Sequence, residues 1–399
     1  METKTILRGR LVTDTEVIAD GAVVFTDEIV KSGVATEILS AEELAAAEQV
    51  EGYLFPGLVD VHCHGGGGES FPNAETTEQA MTAVMAHRVQ GTTSLVASAV
   101  TAAPEVLKAR AAVLTELCEA GELAGVHFEG PFVSHARCGA QDPTYIIDPD
   151  PELTQELLEI CKGYCTTMTV APEKGRAYGE GSVAEVLIEG GALPSWGHTD
   201  SGPDHVRAAL EYSREKLSVV APRSPKATVT HLFNGMRPIH HRDPGPVPEF
   251  LSDAARDGAI LEVISDGVHL NLAIIRSVYE TLGRNALVLV TDAMAAAGMP
   301  DGSYQLGPQG VTVKDGVARL TEGDSIAGGT SRLIDQIRLL VTGGYIPLVD
   351  AVYMATAQGA KILGDERVGT LSEGAHADVL VVSEDFQVER VYRRGKVVA

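Results

Sequence analysis

The segment LVDVHCHGGGG, residues 58–68, places His62 and His64 one residue apart at the end of an apolar run, with four glycines after them. Residues i and i+2 of a strand face the same side, so both imidazoles can reach one ion, while Cys63 points away and packs behind. The glycines permit a sharp turn and leave space above the pair. Taken alone, the pair suits a metal site or a hydrogen-bonded turn equally well. Comparable chemistry recurs along the chain, where apolar runs close in Glu129 (AGVHFEGPF), His198 (LPSWGHTD), His231 (ATVTHLFNG), His269 (ILEVISDGVH) and Asp292 (ALVLVTDAM). Glu129, His198 and His231 form a donor set suited to Zn²⁺ or a similar divalent ion with one open position. A carboxylate such as Asp292, beside a water activated by that ion, can take a proton and return it to a leaving group. Its bland alternative is to cap the turn that follows.

The elements that must position these residues follow a βα rhythm. Eight apolar runs, GLVDVHCH, TTSLVASAV, AGVHFEGPF, TTMTVAPE, LPSWGHTD, ATVTHLFNG, ILEVISDGVH and ALVLVTDAM, alternate with helix-period segments. That pattern predicts a (β/α)8 TIM-like barrel, whose functional residues gather at the C-terminal ends of the strands. The helical stripe of residues 103–121 is read as Val106, Leu107, Val113, Leu114 and Leu117 covering the sheet. Both chain ends alternate apolar and polar residues, which predicts a small β-sandwich domain built from residues 1–57 and 365–399, with the catalytic barrel at 58–364. Residues 302–320 read as a hairpin turning at KDG, residues 135–148 as a mobile loop over the barrel mouth, and residues 211–227 as an excursion.

The balance of 55 acidic against 31 basic residues, net −24, repels phosphate backbones and makes nucleic acid an unlikely class of partner. An anionic metabolite then needs a local basic island, and MRPIHHRDPG, with Arg237 and Arg242, is the candidate. Five cysteines form no regular framework and CKGYC has no second half, so reduced thiols in a cytoplasmic protein are expected. No segment approaches the roughly 18 apolar residues that a membrane span requires, and no membrane partner is expected.

In chain order, PGLVDVHCHG, HFEGPF, WGHTD, THLFNGM, SDGVHL and VTDAM resemble the amidohydrolase superfamily and, more narrowly, its N-acetylglucosamine-6-phosphate deacetylases, over nearly the whole length. The resemblance implies metal-dependent hydrolysis of the acetamide of a small sugar phosphate in amino-sugar catabolism and recycling. It places the principal Zn²⁺ on Glu129, His198 and His231, makes Asp292 the general base and acid, and allows a second ion on His62 and His64. Many amidohydrolases carry a modified lysine at strand four, but TTMTVAPE offers none before Lys174. Substrate contacts would fall on Asn234, Gly235, Arg242 and His269. Gln141 stands where many relatives carry a histidine that positions the acetamido carbonyl; it can donate a hydrogen bond but carries no charge. Cys138, in the same loop, matches a position near the substrate in some relatives. Family members are commonly homodimers, for which Phe233 and Ile239 are the exposed apolar hints. Alternatives of other kinds are a deacetylase for another N-acetylhexosamine phosphate, such as the galactosamine epimer, and a non-catalytic barrel scaffold.

Overall fold

The structure, a computed structural model, describes residues 4–220 and 223–398. Eight parallel strands run in sequence order: Leu58–Cys63, Thr92–Val100, Gly125–Phe132, Cys165–Val170, Leu193–Trp196, Ala227–Val229, Ala259–Val263 and Leu287–Leu289. We number them one to eight below. Every residue of these strands is buried, as expected for a parallel sheet covered by helices outside and filled by side chains inside. The ring closes just past strand eight. There Asp292 N–H donates to His62 O (2.9 Å), His64 N–H donates to Ala293 O (2.7 Å), and Cys63 bridges Ala293 in parallel.

The helices between strands start where the sequence supplies caps. Thr76 and Gln79 form a capping box ahead of helix Thr77–Arg88, and the Asp150 side chain accepts from Glu152 and Leu153 N–H at the start of Pro151–Cys161. Helix Pro104–Glu119 buries Leu107, Leu114 and Leu117 of the anticipated stripe together with Ala111 and Cys118, whereas Val106 is exposed and Val113 only half-buried. Its small residues set the close face, so the largest apolar side chains are not the whole stripe. The expected excursion at 211–227 is mostly helix. Residues 211–219 continue helix Pro203–Val219, burying Ser213 and Leu217 and pairing Lys216 with Glu185 at 2.6 Å. What connects it to strand six is short, and residues 221 and 222 lie outside the described residues.

Segment 302–320 forms not one hairpin but a three-stranded meander, Gly302–Leu306, Gln309–Lys314 and Val317–Leu320. Its KDG turn has positive φ at Asp315 (52°) and Gly316 (74°), the geometry a tight two-residue hairpin requires. The apolar side of the meander, Leu306, Val311, Val313 and Ala318, packs on Val100 and Met294–Ala296 at the barrel mouth.

The two chain ends share one seven-stranded sheet, ordered Lys396–Val397, Val388–Arg393, Val379–Val382, Glu48–Pro56, Thr5–Val12, Val17–Phe25 and Ile29–Val34. Phe25 and Tyr392 lie on strands with three others between them, yet their rings stack edge-on with centroids 5.0 Å apart. The sheet therefore folds across itself around a core of Leu7, Leu11, Val23, Leu54 and Val379. Strand Glu48–Pro56 pairs antiparallel with Val379–Val382 and leads into barrel strand one after Gly57, so docking of the chain ends and placement of the first strand are coupled. A Cβ on Gly52 would collide with the Val382 carbonyl. Gly52→Ala is expected to lower the unfolding free energy by about 1–3 kcal/mol, while Gly175→Ala, where a Cβ meets nothing within 4 Å, should be neutral; chemical denaturation of both variants checks this.

Candidate metal centre and active site

The residues at the strand ends converge. Ligand atoms of Glu129, His198 and His231 all lie within 4.8 Å of one another, and so do those of His62, His64, Glu129 and Asp292. Glu129 belongs to both groups, and the oxygen nearer His62 Nε2 is Oε1, at 3.9 Å. Its Oε1 is 2.9 Å from His198 Nε2 and 2.9 Å from His231 Nε2, while its Oε2 is 3.1 Å from His64 Nε2. Within the groups, His198 and His231 approach Nε2 to Nε2 at 3.1 Å, as do His62 and His64. Asp292 Oδ1 stands 3.1 Å from His64 Nε2 and 3.4 Å from His62 Nε2. Pairs of imidazole nitrogens at such distances, facing a shared carboxylate, fit ligands of a common ion.

The outward nitrogens support that orientation. His62 Nδ1 is 2.9 Å from Glu262 Oε2, His64 Nδ1 is 3.1 Å from Ser98 O, and His198 Nδ1 is 2.7 Å from Arg137 O. Each acceptor holds the ring proton on Nδ1 and leaves the Nε2 lone pair facing inward, the usual setting of a metal-bound histidine. His231 differs: its Nδ1 is buried and has no partner among the described residues. Three of these residues also sit in the left-handed backbone region, His198 (φ 46°), His231 (φ 24°) and Asp292 (φ 46°). Non-glycine residues there cost of order 1–3 kcal/mol each and persist where surrounding structure imposes them. Gly235 makes room for one of them, since a Cβ there would come within 2.7 Å of His198 Nδ1.

The electrostatics call for a cation. Burial disfavours charge on His64, yet its hydrogen bonds to Asp292 and Glu129 raise its pKa to about 10. Burial likewise opposes charge on His62, but the charges of Glu262 and Asp292 raise it to about 9. Burial alone would raise Asp292, and the charges of His62 and His64 instead hold it at about 2. Glu129 is also kept well below the usual carboxylate range despite its burial, chiefly by His198. The donor set thus draws positive charge into a buried place, by protonation when no ion supplies it. By contrast His127, beneath His62, is pushed well below its ordinary value by burial and stays neutral.

Above these groups opens a pocket of about 240 Å³. Asn234, Gly235, His269 and Gln141 line it, together with Leu306 from the meander and Ser325, Ile326 and Gly328 from the loop beyond it. Arg242 and Cys138 do not. The loop bearing Arg242 turns outward because Arg237 is tied to Asp243 (2.7 Å) and Asp200 (3.5 Å), so Arg242 stands exposed. That pairing also neutralises much of the basic island. Cys138 is half-buried at the end of the turn His135–Arg137. Gln141 is committed to the protein. Its Oε1 accepts from Thr101 N–H (2.7 Å) and its Nε2 donates to Glu129 Oε2 (2.5 Å), so it orients the shared carboxylate. Lys174 pairs with Asp148 at 3.3 Å, away from the cluster. Phe233 is half-buried against the barrel core, whereas Ile239 is exposed.

Two residues escaped the sequence reading. Glu262 lies inside strand seven, and Asp266 accepts from His269 Nδ1 at 2.8 Å. The signal for Glu262 was one carboxylate in the middle of the apolar run AILEVIS. A third group, Asp60 and Cys63 of strand one with His87, is partly engaged by protein groups, although His87 Nδ1 has no partner among the described residues. Thr291 Oγ1 donates to Asp60 (2.6 Å) and His87 Nε2 to Gly65 O (2.8 Å). A larger cleft, about 1180 Å³, opens at the opposite end of the barrel near Asp14, Lys226 and Lys361, and none of the three ligand groups lines it.

The chain belongs to the amidohydrolase family of metal-dependent hydrolases, whose sequence pattern matches residues 53–398. Within that family it groups with the N-acetylglucosamine-6-phosphate deacetylases. It is 32% identical to the enzyme of that name from Bacillus subtilis, over 97% of this chain and 95% of that protein. An aspartate-to-alanine variant of N-acetyl-D-glucosamine-6-phosphate deacetylase from Mycobacterium smegmatis, solved with N-acetyl-D-glucosamine-6-phosphate, superimposes with a TM-score of 0.89 at 36% identity over 100% of both chains. An N-acetylgalactosamine-6-phosphate deacetylase from a Shewanella strain is 29% identical over 96% of each chain.

With pKa values raised to about 9 and 10, His62 and His64 hold protons at neutral pH until an ion displaces them. Zn²⁺ binding to metal-free protein at pH 7 is therefore expected to release protons and to tighten as pH rises toward those values. Calorimetric titration in buffers of different ionisation enthalpy measures the release; binding without it contradicts this electrostatic account.

Proposed function

We propose that the protein hydrolyses the acetamide of N-acetylglucosamine 6-phosphate to acetate and glucosamine 6-phosphate, in cytoplasmic amino-sugar catabolism and recycling. The observation that carries this reading is the convergence of two donor groups on Glu129, with Asp292 beside them under a pocket, in a chain that aligns nearly end to end with deacetylases of that name. Residues 58–364 form the catalytic unit in this reading, with 1–57 and 365–399 as the supporting β domain. Glu129, His198 and His231 hold one Zn²⁺, and His62 and His64, with Glu129 and Asp292, hold a second. When bound, the ions lower the pKa of a water and stabilise negative charge on the acetamide oxygen.

The protein's own groups carry the proton transfers. Asp292, ionised and 3.1 Å from His64 Nε2, accepts the proton of the attacking water as its oxygen bonds to the acetamide carbon. It then donates that proton to the amine nitrogen as the C–N bond breaks, which an amide needs because the free amide anion is a poor leaving group. Gln141 keeps Glu129 in register through its 2.5 Å hydrogen bond. His269, oriented by Asp266, stands with Nε2 3.9 Å from Asp292 Oδ2 and faces the sugar. Asn234 and Gly235 lie on the phosphate side. Among the described residues no lysine or arginine lines the pocket. We therefore assign the counter-charge to Arg242 of a second copy in a homodimer, reached across the face bearing Ile239.

Asp292→Asn is expected to keep the ion held by Glu129, His198 and His231 and to lose about 10²–10⁴-fold in turnover. Acetate release and metal analysis on the same sample check it, and undiminished turnover refutes the role. The 29% identical N-acetylgalactosamine-6-phosphate deacetylase supports a second reading, with the galactosamine epimer as substrate. Side-by-side assays should give the higher kcat/KM for the glucosamine substrate. A scaffold without catalysis would bind no stoichiometric metal and release no acetate from either.

A further inference from the structure

Glu262 is 1% exposed in the middle of strand seven, and strand eight separates that strand from strand one. Its carboxylate nevertheless reaches through the barrel interior to both donor groups. Oε2 accepts from His62 Nδ1 at 2.9 Å and from the backbone N–H of His231 at 3.2 Å. An ionised carboxylate at this depth is costly unless it is met by donors. Among the described residues the only side-chain donor on it is the His62 ring. That contact requires the His62 proton on Nδ1, so the Nε2 lone pair faces His64 Nε2 (3.1 Å) and Asp292 Oδ1 (3.4 Å). The same oxygen pins the His231 backbone, whose φ of 24° aims the ring at Glu129.

From this geometry we infer that Glu262 is the positioning residue that makes His62 a metal ligand, and so sets the affinity of the second ion independently of the first. The inference rests on the two-ion reading above. Its reach is specific: Glu262 touches a side chain only in the His62–His64 group, while its contact to the other group is with a backbone N–H that a glutamine oxygen also satisfies. Removing its charge therefore weakens one site and spares the other. Such outer partners of ligating histidines change metal affinity by about 10–100-fold.

The experiment compares metal-free wild type, Glu262→Gln and His62→Asn by Zn²⁺ titration against a competing chelator, with bound ions counted by elemental analysis. The expected result is two ions per chain in the wild type. Glu262→Gln should keep the tighter ion at wild-type affinity and hold the second about 10–100-fold more weakly, and His62→Asn should lose the second ion. Two ions at wild-type affinities in Glu262→Gln overturn the inference and leave the two-ion reading standing. One ion in the wild type, unchanged by His62→Asn, overturns both. A second measurement needs no folded Glu262 variant: in Zn²⁺-loaded wild type with ¹⁵N-labelled histidine, the His62 signal, assigned by its loss in His62→Asn, should show a proton on Nδ1 only. A proton on Nε2 instead overturns the inference.

Discussion

Three carboxylates, Glu129, Asp292 and Glu262, are buried within one barrel mouth, and their negative charge is the condition that the surrounding structure answers. In water such groups are solvated at little cost; at this depth each needs hydrogen-bond donors or a cation. Four imidazoles surround them, and the protein holds three of those rings by acceptors on their outward nitrogens: Glu262, Ser98 O and Arg137 O. The result is a ring of inward lone pairs around a negative centre, which a divalent ion completes. Glu129 is the hinge of the arrangement because its Oε1 faces His198 and His231 while its Oε2 faces His64.

Holding that geometry has structural consequences below and above the site. Beneath it, a continuous polar belt crosses the barrel interior. Ser98 meets His127, His127 meets Thr169, Thr169 meets Thr230, and Thr230 meets Ser195, at 2.7–2.9 Å throughout. Four of these five residues are fully buried hydrogen-bonding partners on strands two to five, and the fifth, Thr230, directly precedes His231. A satisfied network of this kind fixes side-chain positions more sharply than an apolar layer does. Above the site, the left-handed conformations of His198, His231 and Asp292 show the backbone bent away from strand geometry to aim ligands inward. The β domain acts at longer range, by seating the strand that runs through Gly57 into His62.

Much of this was legible in the letters because it depends on local period and strand direction. Eight apolar runs alternating with helical segments specify parallel βα units, and polar residues at the ends of those runs share one rim once the ring closes. The hidden part has physical causes. On helix Pro104–Glu119 the buried face keeps Leu107, Leu114 and Leu117 of the period but is completed by Ala111 and Cys118 instead of Val106 and Val113, a choice that hydrophobicity alone does not rank. Residues 211–219 read as an excursion in sequence because their charges mask a helix whose inner face needs only Ser213 and Leu217. Arg242 stands in a run that reads as a basic island, and only the structure shows that it does not line the pocket of its own chain. In space Arg237 is bound by acids from two segments, and the loop carries Arg242 outward.

By itself, then, the sequence determined the barrel, the β domain made from both chain ends, and which residue types stand at the rim, since each follows from alternation, helical period and the direction of the chain. Only the tertiary structure decided that Glu129 sets one oxygen toward His198 and His231 and the other toward His64, that Gln141 turns its amide to that carboxylate instead of to open space, and that Glu262 reaches His62 through the barrel. These are contacts between residues 12 to 200 positions apart. Their existence depends on ring closure, strand stagger and side-chain direction within a fraction of an ångström, quantities that no local pattern of residues encodes.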